Sequence, residues 1–207
     1  MKRGDHRPTL ILMLKEPRPG QVKTRLGRDV GMTVAAQWFR VQTRALIRAV
    51  TRDPRWRAIL CIAPDGSLGS RTFPQNPERW PQGRGSLGDR MKRALWRAMP
   101  GPAVLIGGDI PGVGAHHIAR AFQALKSHQA VLGPAPDGGY WLIGFRGPKI
   151  PHGLFADVRW STSNALDDTR ASLGTTRTTL IDMLADVDVA DDLAPSNIRA
   201  TPLRIRD

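Results

Sequence analysis

Cysteine is nearly absent from this 207-residue sequence, since Cys61 is the only one. An internal disulfide is therefore excluded. Cys61 lies in an apolar run, which favours a small buried side chain over a reactive thiol. No stretch of about 18 apolar residues occurs, so no membrane span is predicted. The apolar stretch Thr9–Leu14 is too short for the core of a signal peptide and is followed at once by Lys15. We therefore expect a cytoplasmic protein.

Acidic residues are scarce as well, with 18 Asp and Glu against 31 Lys and Arg and a formal net charge of +13. Such a balance attracts anions such as nucleotides, phosphates, acidic lipids or nucleic acid. The arginines are scattered, and no block of like charge, zinc-finger spacing or aromatic-rich RNA-binding motif occurs. The charge therefore indicates either an anionic ligand or simply a solvated, arginine-rich surface.

Short apolar runs alternate with helical patterns along the chain. The runs predict strands, and they lie at Thr9–Leu14, Ala58–Ala63, Ala103–Ile106, Ala130–Leu132 and Tyr140–Phe145. Alternating strands and helices predict an α/β protein, a three-layer α/β/α sandwich around a mostly parallel sheet, in a single domain spanning residues 1–207. Ligands of such sheets bind beyond the carboxyl ends of the strands, which directs attention to the loops after residues 14, 63, 106 and 132.

The helical patterns are less sharply bounded. Residues 15–31 read as a loop, and Ser86 is expected to cap a helix that runs to Ala98. Thr162 or Ser163 is expected to cap a further helix that ends at Gly174, and Gly133-Pro134 is expected to end a strand. The long helix after residue 31 is predicted to bury one face. That face comprises Val34, Ala35, Trp38, Phe39, Ala45, Leu46 and Ala49.

The loop after the first strand could hold phosphate groups. Gly20 permits a tight turn, and backbone N–H groups, a hydroxyl and fixed cations together make an anion cradle. The alternative is an ordinary basic surface loop. The candidate ligands for phosphate are Lys15, Gly20, Lys23, Thr24 and Arg25.

A glycine-rich loop precedes the Ser86-capped helix. Its glycines let backbone approach a ligand, and the amide of Gln82 could read a base or ribose edge. The alternative is a flexible loop that ends in a helix cap. The candidate nucleotide-binding residues here are Gln82, Gly83, Gly85, Leu87 and Gly88.

Three further segments carry candidate ligands. Asp109 ends a buried strand beside two glycines, where it could hold a divalent cation or cap the next turn. Residues 186–193 form a carboxylate cluster that either joins a site or begins a helix. Asp137-Gly138-Gly139 suits a ligand contact or a plain hairpin turn, and Trp160-Ser161-Thr162 suits a pocket or a cap.

Six short motifs, taken in order from about residue 9 to 193, resemble one known family. They are Lys-x-Pro-x-x-Gly-x-Val-Lys-Thr-Arg-Leu at 15–26, Gln-Gly-x-Gly-x-Leu-Gly-x-Arg-Met at 82–91, Gly-Gly-Asp-x-Pro at 107–111, Gly-Pro-Ala-x-Asp-Gly-Gly-Tyr at 133–140, Trp-Ser-Thr at 160–162 and Asp-Val-Asp-x-x-x-Asp-Leu at 186–193. The set resembles the bacterial DUF2064 glycosyltransferase family, which is linked to arsenosugar biosynthesis. Its relatives include the MobA-like (molybdopterin) and phospholactate nucleotidyltransferases.

The resemblance implies a GT-A, nucleotide-diphospho-sugar-transferase-like fold with a Rossmann-like sheet. It implies a divalent metal, Mg²⁺ or Mn²⁺, held by Asp109 and Asp188, with Asp109 and Lys23 in catalytic roles. It also implies a nucleotide on the first and second loops. The second substrate would lie against Asp137, Gly138, Gly139, Trp160, Ser161 and Thr162.

Three functions follow from these observations. The first is transfer of a sugar from a nucleotide-sugar to a small-molecule acceptor, which the family resemblance favours. The second is nucleotidyl transfer from a nucleoside triphosphate to a phosphorylated acceptor. The third is a non-catalytic nucleotide or nucleic-acid binder, which is disfavoured because carboxylates at strand ends oppose direct binding of a polyanion.

Overall fold

Seven strands form one sheet in the computed structural model, which describes residues 7–185 and 187 of the chain. Six of them run in the same direction, and only β6 is antiparallel to its neighbours β4 and β5. The α/β class predicted from the sequence is therefore confirmed. In chain order the strands are β1 Thr9–Lys15, β2 Arg57–Ala63, β3 Glu78–Pro81, β4 Ala103–Gly107, β5 Ala130–Pro134, β6 Tyr140–Phe145 and β7 Thr178–Leu180, and their spatial order is β3-β2-β1-β4-β6-β5-β7.

Helices cover both faces of this sheet. Side chains of β1 alternate between two cores: Leu10, Leu12 and Leu14 point to one and Ile11 to the other. Helices α2 and α4 close the first core, and α3 and α5 close the second. Burial on both faces explains the continuous apolar runs of β1, β2 and β4. The helices are α1 Thr24–Val30, α2 Met32–Thr51, α3 Leu87–Ala98, α4 Ala115–Ala124 and α5 Ala165–Ser172.

The parallel arrangement brings the loops that carry the candidate site residues to one edge of the sheet. The carboxyl ends of β1, β2, β4 and β5 lie there, as does the start of the antiparallel β6. Within residues 7–185, no helix is both long and apolar enough to cross a membrane. Cys61 is buried in β2, and this burial raises the pKa of its thiol to about 12, as expected for a structural side chain.

Several local expectations are wrong. Residues 15–31 are not all loop, because α1 occupies Thr24–Val30 and packs on α2. In α2 the predicted face is misplaced, since Val34, Ala45 and Ala49 are exposed. The buried face is Ala35, Ala36, Phe39, Thr43, Leu46, Ile47 and Val50. The predicted face and the observed face are related by a small rotation about the helix axis. Packing against the sheet determines which of the two is buried.

Three predicted ends also differ from the structure. β5 continues through Pro134, because its pairing with β6 absorbs a register shift at Gly133/Pro134. Asn164 is the N-cap of α5, and Thr162 instead donates to the Arg159 carbonyl at 2.7 Å. α5 ends at Ser172, before Gly174. The predicted cap of α3 is confirmed, since Ser86 and Asp89 form a reciprocal capping box.

Candidate active site

A cleft of about 830 Å³ lies at the carboxyl edge of the sheet. It is lined by the loop after β1, the start of α1 and the end of β4, together with Gln82, Leu87 and Arg90. In the described part of the chain, four cationic side chains border this cleft, namely Lys15, Lys23, Arg25 and Arg90. A concave site with several fixed positive charges suits a phosphorylated ligand.

A smaller cavity of about 220 Å³ adjoins the cleft. Its walls are mainly apolar and come from β1, α3, β4, β6 and the segment around Trp160. The two cavities share a border of seven residues: Met13, Leu87, Gly107, Asp109, Asp137, Ser161 and Thr162. Two compartments of different chemistry therefore meet at the carboxylates of Asp109 and Asp137.

Lys23 and Asp109 form an ion pair at this border. The Lys23 Nζ lies 2.7 Å from Asp109 Oδ2, and the two side chains are 6% and 31% exposed. Lys23 is the N-cap of α1 and has left-handed backbone angles, φ 45° and ψ 48°. Non-glycine residues seldom adopt this conformation, and it is frequent at functional sites. The sequence predicted both residues as catalytic but did not predict their contact.

Most of the phosphate ligands predicted in the loop after β1 line the cleft. Lys15, Thr24 and Arg25 line the cleft, whereas Gly20 lies in a turn beside it, at φ 73°. The Lys15 Nζ donates to the Gln21 carbonyl at 3.4 Å, which directs the ammonium along the loop. The loop thus presents side-chain cations rather than its glycine to the cleft.

Gln82 lines the cleft but cannot read a base with its amide nitrogen. Its side chain is 6% exposed, and Nε2 donates to the carbonyls of Leu14 and Cys61, both at 2.9 Å. These bonds join the ends of β1 and β2 to the residue after β3. The sequence predicts that the Gln82 amide reads a base or ribose edge. Since both of its N–H groups are used within the sheet, only the amide oxygen could make that contact.

The glycine-rich loop is held in place by arginines of α3. Arg93 donates to the carbonyls of Gln82 and Arg84, and Arg90 Nε donates to the Gly85 carbonyl at 2.9 Å. Gly83, Gly85 and Gly88 line neither cavity, although Leu87 lines both. An added Cβ at Gly88 would lie 3.1 Å from Trp160, so this glycine lets α3 approach that ring.

The Asp137-Gly138-Gly139 turn joins β5 to β6 and borders the small cavity. Gly138 has φ 81°, and a Cβ there would lie 2.1 Å from the Ser163 carbonyl oxygen. Only glycine permits this approach, which brings the turn against the Trp160–Ser163 segment. The small cavity is lined by Asp137, Gly139, Trp160, Ser161 and Thr162. Gly138 lines neither cavity and instead packs against the backbone of Ser163.

Aromatic rings form one wall of the small cavity. The Trp160 ring lies 6.4 Å from that of Tyr140 and 5.5 Å from that of Phe155. The Tyr140 hydroxyl accepts a hydrogen bond from Thr169 Oγ1 at 3.3 Å, and burial raises the pKa of the tyrosine. Tyr140 is thus a neutral wall rather than an acid or base near pH 7.

Several lining residues were not predicted. Arg90 stands inside a quoted motif and projects from the first turn of α3 into the cleft, which its spacing from the Ser86 cap could have indicated. The apolar walls of the small cavity include Met13, Met91 and Leu105, whose strand and helix patterns indicate only a core. Asp188, the second predicted metal ligand, lies outside the described residues. Among the residues described, no three His, Cys, Asp or Glu side chains converge on a common point.

The sequence profile of one family matches residues 46–162, more than half of the chain. That family is described as an uncharacterized protein conserved in bacteria, DUF2064. The chain belongs to the DUF2064 family. No match was found among curated proteins.

Solved structures resemble this DUF2064 protein over nearly its whole length. A Desulfovibrio desulfuricans G20 protein, provisionally named a nucleotide-diphospho-sugar transferase, is 29% identical with a TM-score of 0.78; the match covers 94% of this chain and 91% of that one. The 4-diphosphocytidyl-2C-methyl-D-erythritol synthase of Anaerococcus prevotii shares the fold at 11% identity and a TM-score of 0.57, covering 92% and 96%. A Mycobacterium tuberculosis H37Rv protein solved in complex with manganese also shares the fold, at 20% identity and a TM-score of 0.51. That match covers 90% of this chain and 95% of the other. The DUF2064 chain has the nucleotide-diphospho-sugar transferase fold and is a transferase, as the sequence predicted.

Proposed function

We propose that this chain is a metal-dependent glycosyltransferase that moves a sugar from a nucleotide-diphospho-sugar to a small acceptor. One observation carries the proposal: a cation-lined cleft and a separate, mainly apolar cavity meet at Asp109. A transferase needs one compartment for the leaving diphosphate and another for the group that is transferred or receives it. The likeness to the Desulfovibrio protein supports the same reaction class.

The cleft is suited to the donor's nucleoside diphosphate. Lys15, Lys23, Arg25 and Arg90 would neutralise the diphosphate, and its charge increases as the sugar–phosphate bond breaks. Among these cations, Lys23 contacts Asp109, which lines both cavities. We therefore assign Lys23 to the phosphate that is bonded to the sugar, and Thr24 and Arg25 to the other phosphate of the leaving diphosphate.

The site also suits Mg²⁺ or Mn²⁺. The partly exposed Asp109 carboxylate is a hard oxygen donor, and Mg²⁺ commonly uses one or two carboxylates together with phosphates and water. Asp109 would hold the ion, with Asp188 from the segment outside the described residues as the proposed second ligand. When bound, the ion would supply Lewis-acid stabilisation of the leaving diphosphate. The manganese in the Mycobacterium tuberculosis structure is consistent with this choice of ion.

Nucleotidyl transfer to a phosphorylated acceptor is the second candidate. The shared fold of the Anaerococcus prevotii synthase favours it. The two reactions release different products: glycosyl transfer releases a nucleoside diphosphate, and nucleotidyl transfer releases pyrophosphate. The released product therefore separates them without knowledge of the acceptor.

The test begins with thermal shift of the purified chain against nucleotides and nucleotide-sugars, with and without Mg²⁺ or Mn²⁺. A ligand at a hundred times its dissociation constant should stabilise the fold by about 2.7 kcal/mol. Stabilising ligands are then assayed for release of nucleoside diphosphate or pyrophosphate. Asp109→Asn should abolish metal-stimulated release, whereas Asp167→Asn, at an exposed position of α5, should not. Pyrophosphate as the sole product would replace our proposal with the second candidate.

A further inference from the structure

The small cavity has a charge pattern that contrasts with the rest of the molecule. The chain carries 31 lysines and arginines, yet no Lys, Arg or His is among the described residues that line this cavity. The charged side chains in this described lining are two carboxylates, Asp109 and Asp137. Lys23 offsets one of them, through its ion pair with Asp109. Among the described lining residues, an anionic group entering this cavity would meet no cation, and it would meet the carboxylate of Asp137, which forms no ion pair with a described residue.

The apolar part of the cavity fits a ring. Its volume of about 220 Å³ exceeds the roughly 150 Å³ that holds a benzene molecule in an engineered protein cavity. Met13, Met91 and Ile143 contribute apolar surface, and the Trp160 ring is fixed between its aromatic neighbours. Leu87 is 45% exposed at the shared border, although it opens a helix whose other large apolar residues are mostly buried. A ligand with an apolar face would cover this side chain.

Polar atoms at the border suit hydroxyl groups. Asp137 accepts a hydrogen bond from its neighbour Gly139 through Oδ1, at 2.9 Å, which fixes the direction of the carboxylate. Ser161 adds a hydroxyl-bearing side chain to the same border, whereas the hydroxyl of Thr162 is already bonded to the backbone of Arg159 and Asn164. A carboxylate can only accept hydrogen bonds near pH 7, so its natural partners here are ligand O–H or N–H groups. An aromatic wall next to such acceptors matches a sugar ring, which has both C–H faces and hydroxyl edges.

We propose that the small cavity admits an uncharged, hydroxyl-bearing ring and excludes anionic ones. Its occupant would be a neutral sugar, not a uronic acid or a sugar phosphate. The ring could belong to the donor or to the acceptor, since both present the same chemistry. The link to transfer rests on the proposed function; the selection against anions rests on the cavity alone.

Three arms test the proposal. In the donor arm, calorimetry compares UDP-glucose with UDP-glucuronate and UDP-galactose with UDP-galacturonate, because each pair shares its base and diphosphate. In the acceptor arm, turnover compares glucose with glucose 6-phosphate. In the nucleotide-free arm, saturation-transfer NMR compares methyl glucoside with methyl glucuronide. We expect the neutral member to be preferred by about tenfold or more, the effect of one close like-charge contact in a partly exposed site.

The arms separate the two sources. Preference in the donor arm places the donor's sugar in the cavity, and preference confined to the acceptor arm places the acceptor there. Preference in the nucleotide-free arm with no nucleotide binding would refute the proposed function but retain the selection rule. Equal or tighter binding of the anionic members in every arm would overturn the inference.

Asp137→Asn identifies the residue responsible. Asparagine keeps an oxygen for the Gly139 bond and thus the turn, but it removes the charge. The preference for neutral members should fall several-fold in this variant. Asp167→Asn is the matched control, because it removes a carboxylate from an exposed site outside both cavities. An unchanged preference in Asp137→Asn would show that Asp137 is not the selecting group.

Discussion

Lys23 Nζ and Asp109 Oδ2 lie 2.7 Å apart, so each side chain limits what else the other can bind. An ammonium on this oxygen and a metal ion on the same oxygen would repel each other. Phosphate offers Lys23 an alternative partner when a nucleotide is present. Under the proposed function, this single contact would link nucleotide binding to metal binding.

Lys23→Met should change the two affinities in opposite directions. The affinity for the tightest nucleotide of the panel should fall by about 10- to 150-fold, which corresponds to one charge-assisted hydrogen bond of about 1.5–3 kcal/mol. The affinity for Mn²⁺ alone should rise, because the Asp109 oxygen is freed. Calorimetry measures both, with Lys126→Met, outside both cavities, as control. A fall in both affinities would mean that Lys23 mainly holds Asp109 in position.

Gly138→Ala should damage the site through the backbone. Its Cβ would lie 2.1 Å from the Ser163 carbonyl, and φ of 81° is unfavourable for alanine. We expect a loss of unfolding free energy of about 1–3 kcal/mol, with weaker ligand binding in the small cavity. Gly153→Ala is the matched control, because no atom lies within 4 Å of its Cβ. Equal urea midpoints for the two variants would contradict this account.

At the scale of elements, one ion pair anchors the segment that carries Trp160 to helix α5. Asp168 accepts hydrogen bonds from the Arg159 backbone N–H at 3.0 Å and from its guanidinium at 2.9 Å. These bonds hold the pKa of Asp168 at about 2, below the usual 3.8. Since the pKa is lowered in the folded state, the carboxylate stabilises the fold above pH 4, and this contribution is lost as pH falls from about 4 to 2.

Asp168→Asn should remove that pH dependence. The native chain should lose unfolding free energy more steeply than the variant between pH 4 and pH 2, as measured by urea denaturation. Asp167→Asn, in the same helix, should keep the native slope, because Asp167 has only a 3.9 Å contact with Arg170. Parallel curves for native chain and Asp168→Asn would show that the pair does not stabilise the fold.

Local patterns determined which elements could be predicted. β1, β2 and β4 are continuous apolar runs, and the Ser86 cap lies three residues before its partner Asp89, so both are visible in a short window. α1 was missed because within it only Leu26 and Gly27 are buried and its support comes from α2. A helix held by tertiary packing leaves little periodicity in its own sequence.

The site could be predicted as a set of loops but not as a geometry. The positions of Lys23 and Asp109 follow from topology, because loops after parallel strands meet at one edge. Their ion pair joins residues that are distant in sequence, and the amide of Gln82 turns to the ends of β1 and β2 instead of to a ligand. Side-chain partners of this kind depend on packing that short motifs do not encode.

For the molecule as a whole, the net charge is +13, but the positive side chains are unevenly distributed between the two cavities. Cations border the larger cleft, whereas the lining of the small cavity includes none among the described residues. A positive molecule raises the local concentration of anions and speeds their association, and dissolved salt screens this effect. It has no comparable influence on a neutral ligand.

Salt should therefore separate the two substrates. Between about 20 mM and about 500 mM KCl, the Debye length shrinks several-fold, and the dissociation constant of the nucleotide should rise by about tenfold or more. The dissociation constant of methyl glucoside should stay within about twofold, because an uncharged ring exchanges no counterions. Calorimetry for the nucleotide and NMR titration for the sugar measure the pair, with KCl replaced by sucrose as a control for osmotic effects. If both constants rise in parallel, the salt acts on the fold or on the whole site, and the division into a cleft for anions and a cavity for neutral ligands is wrong.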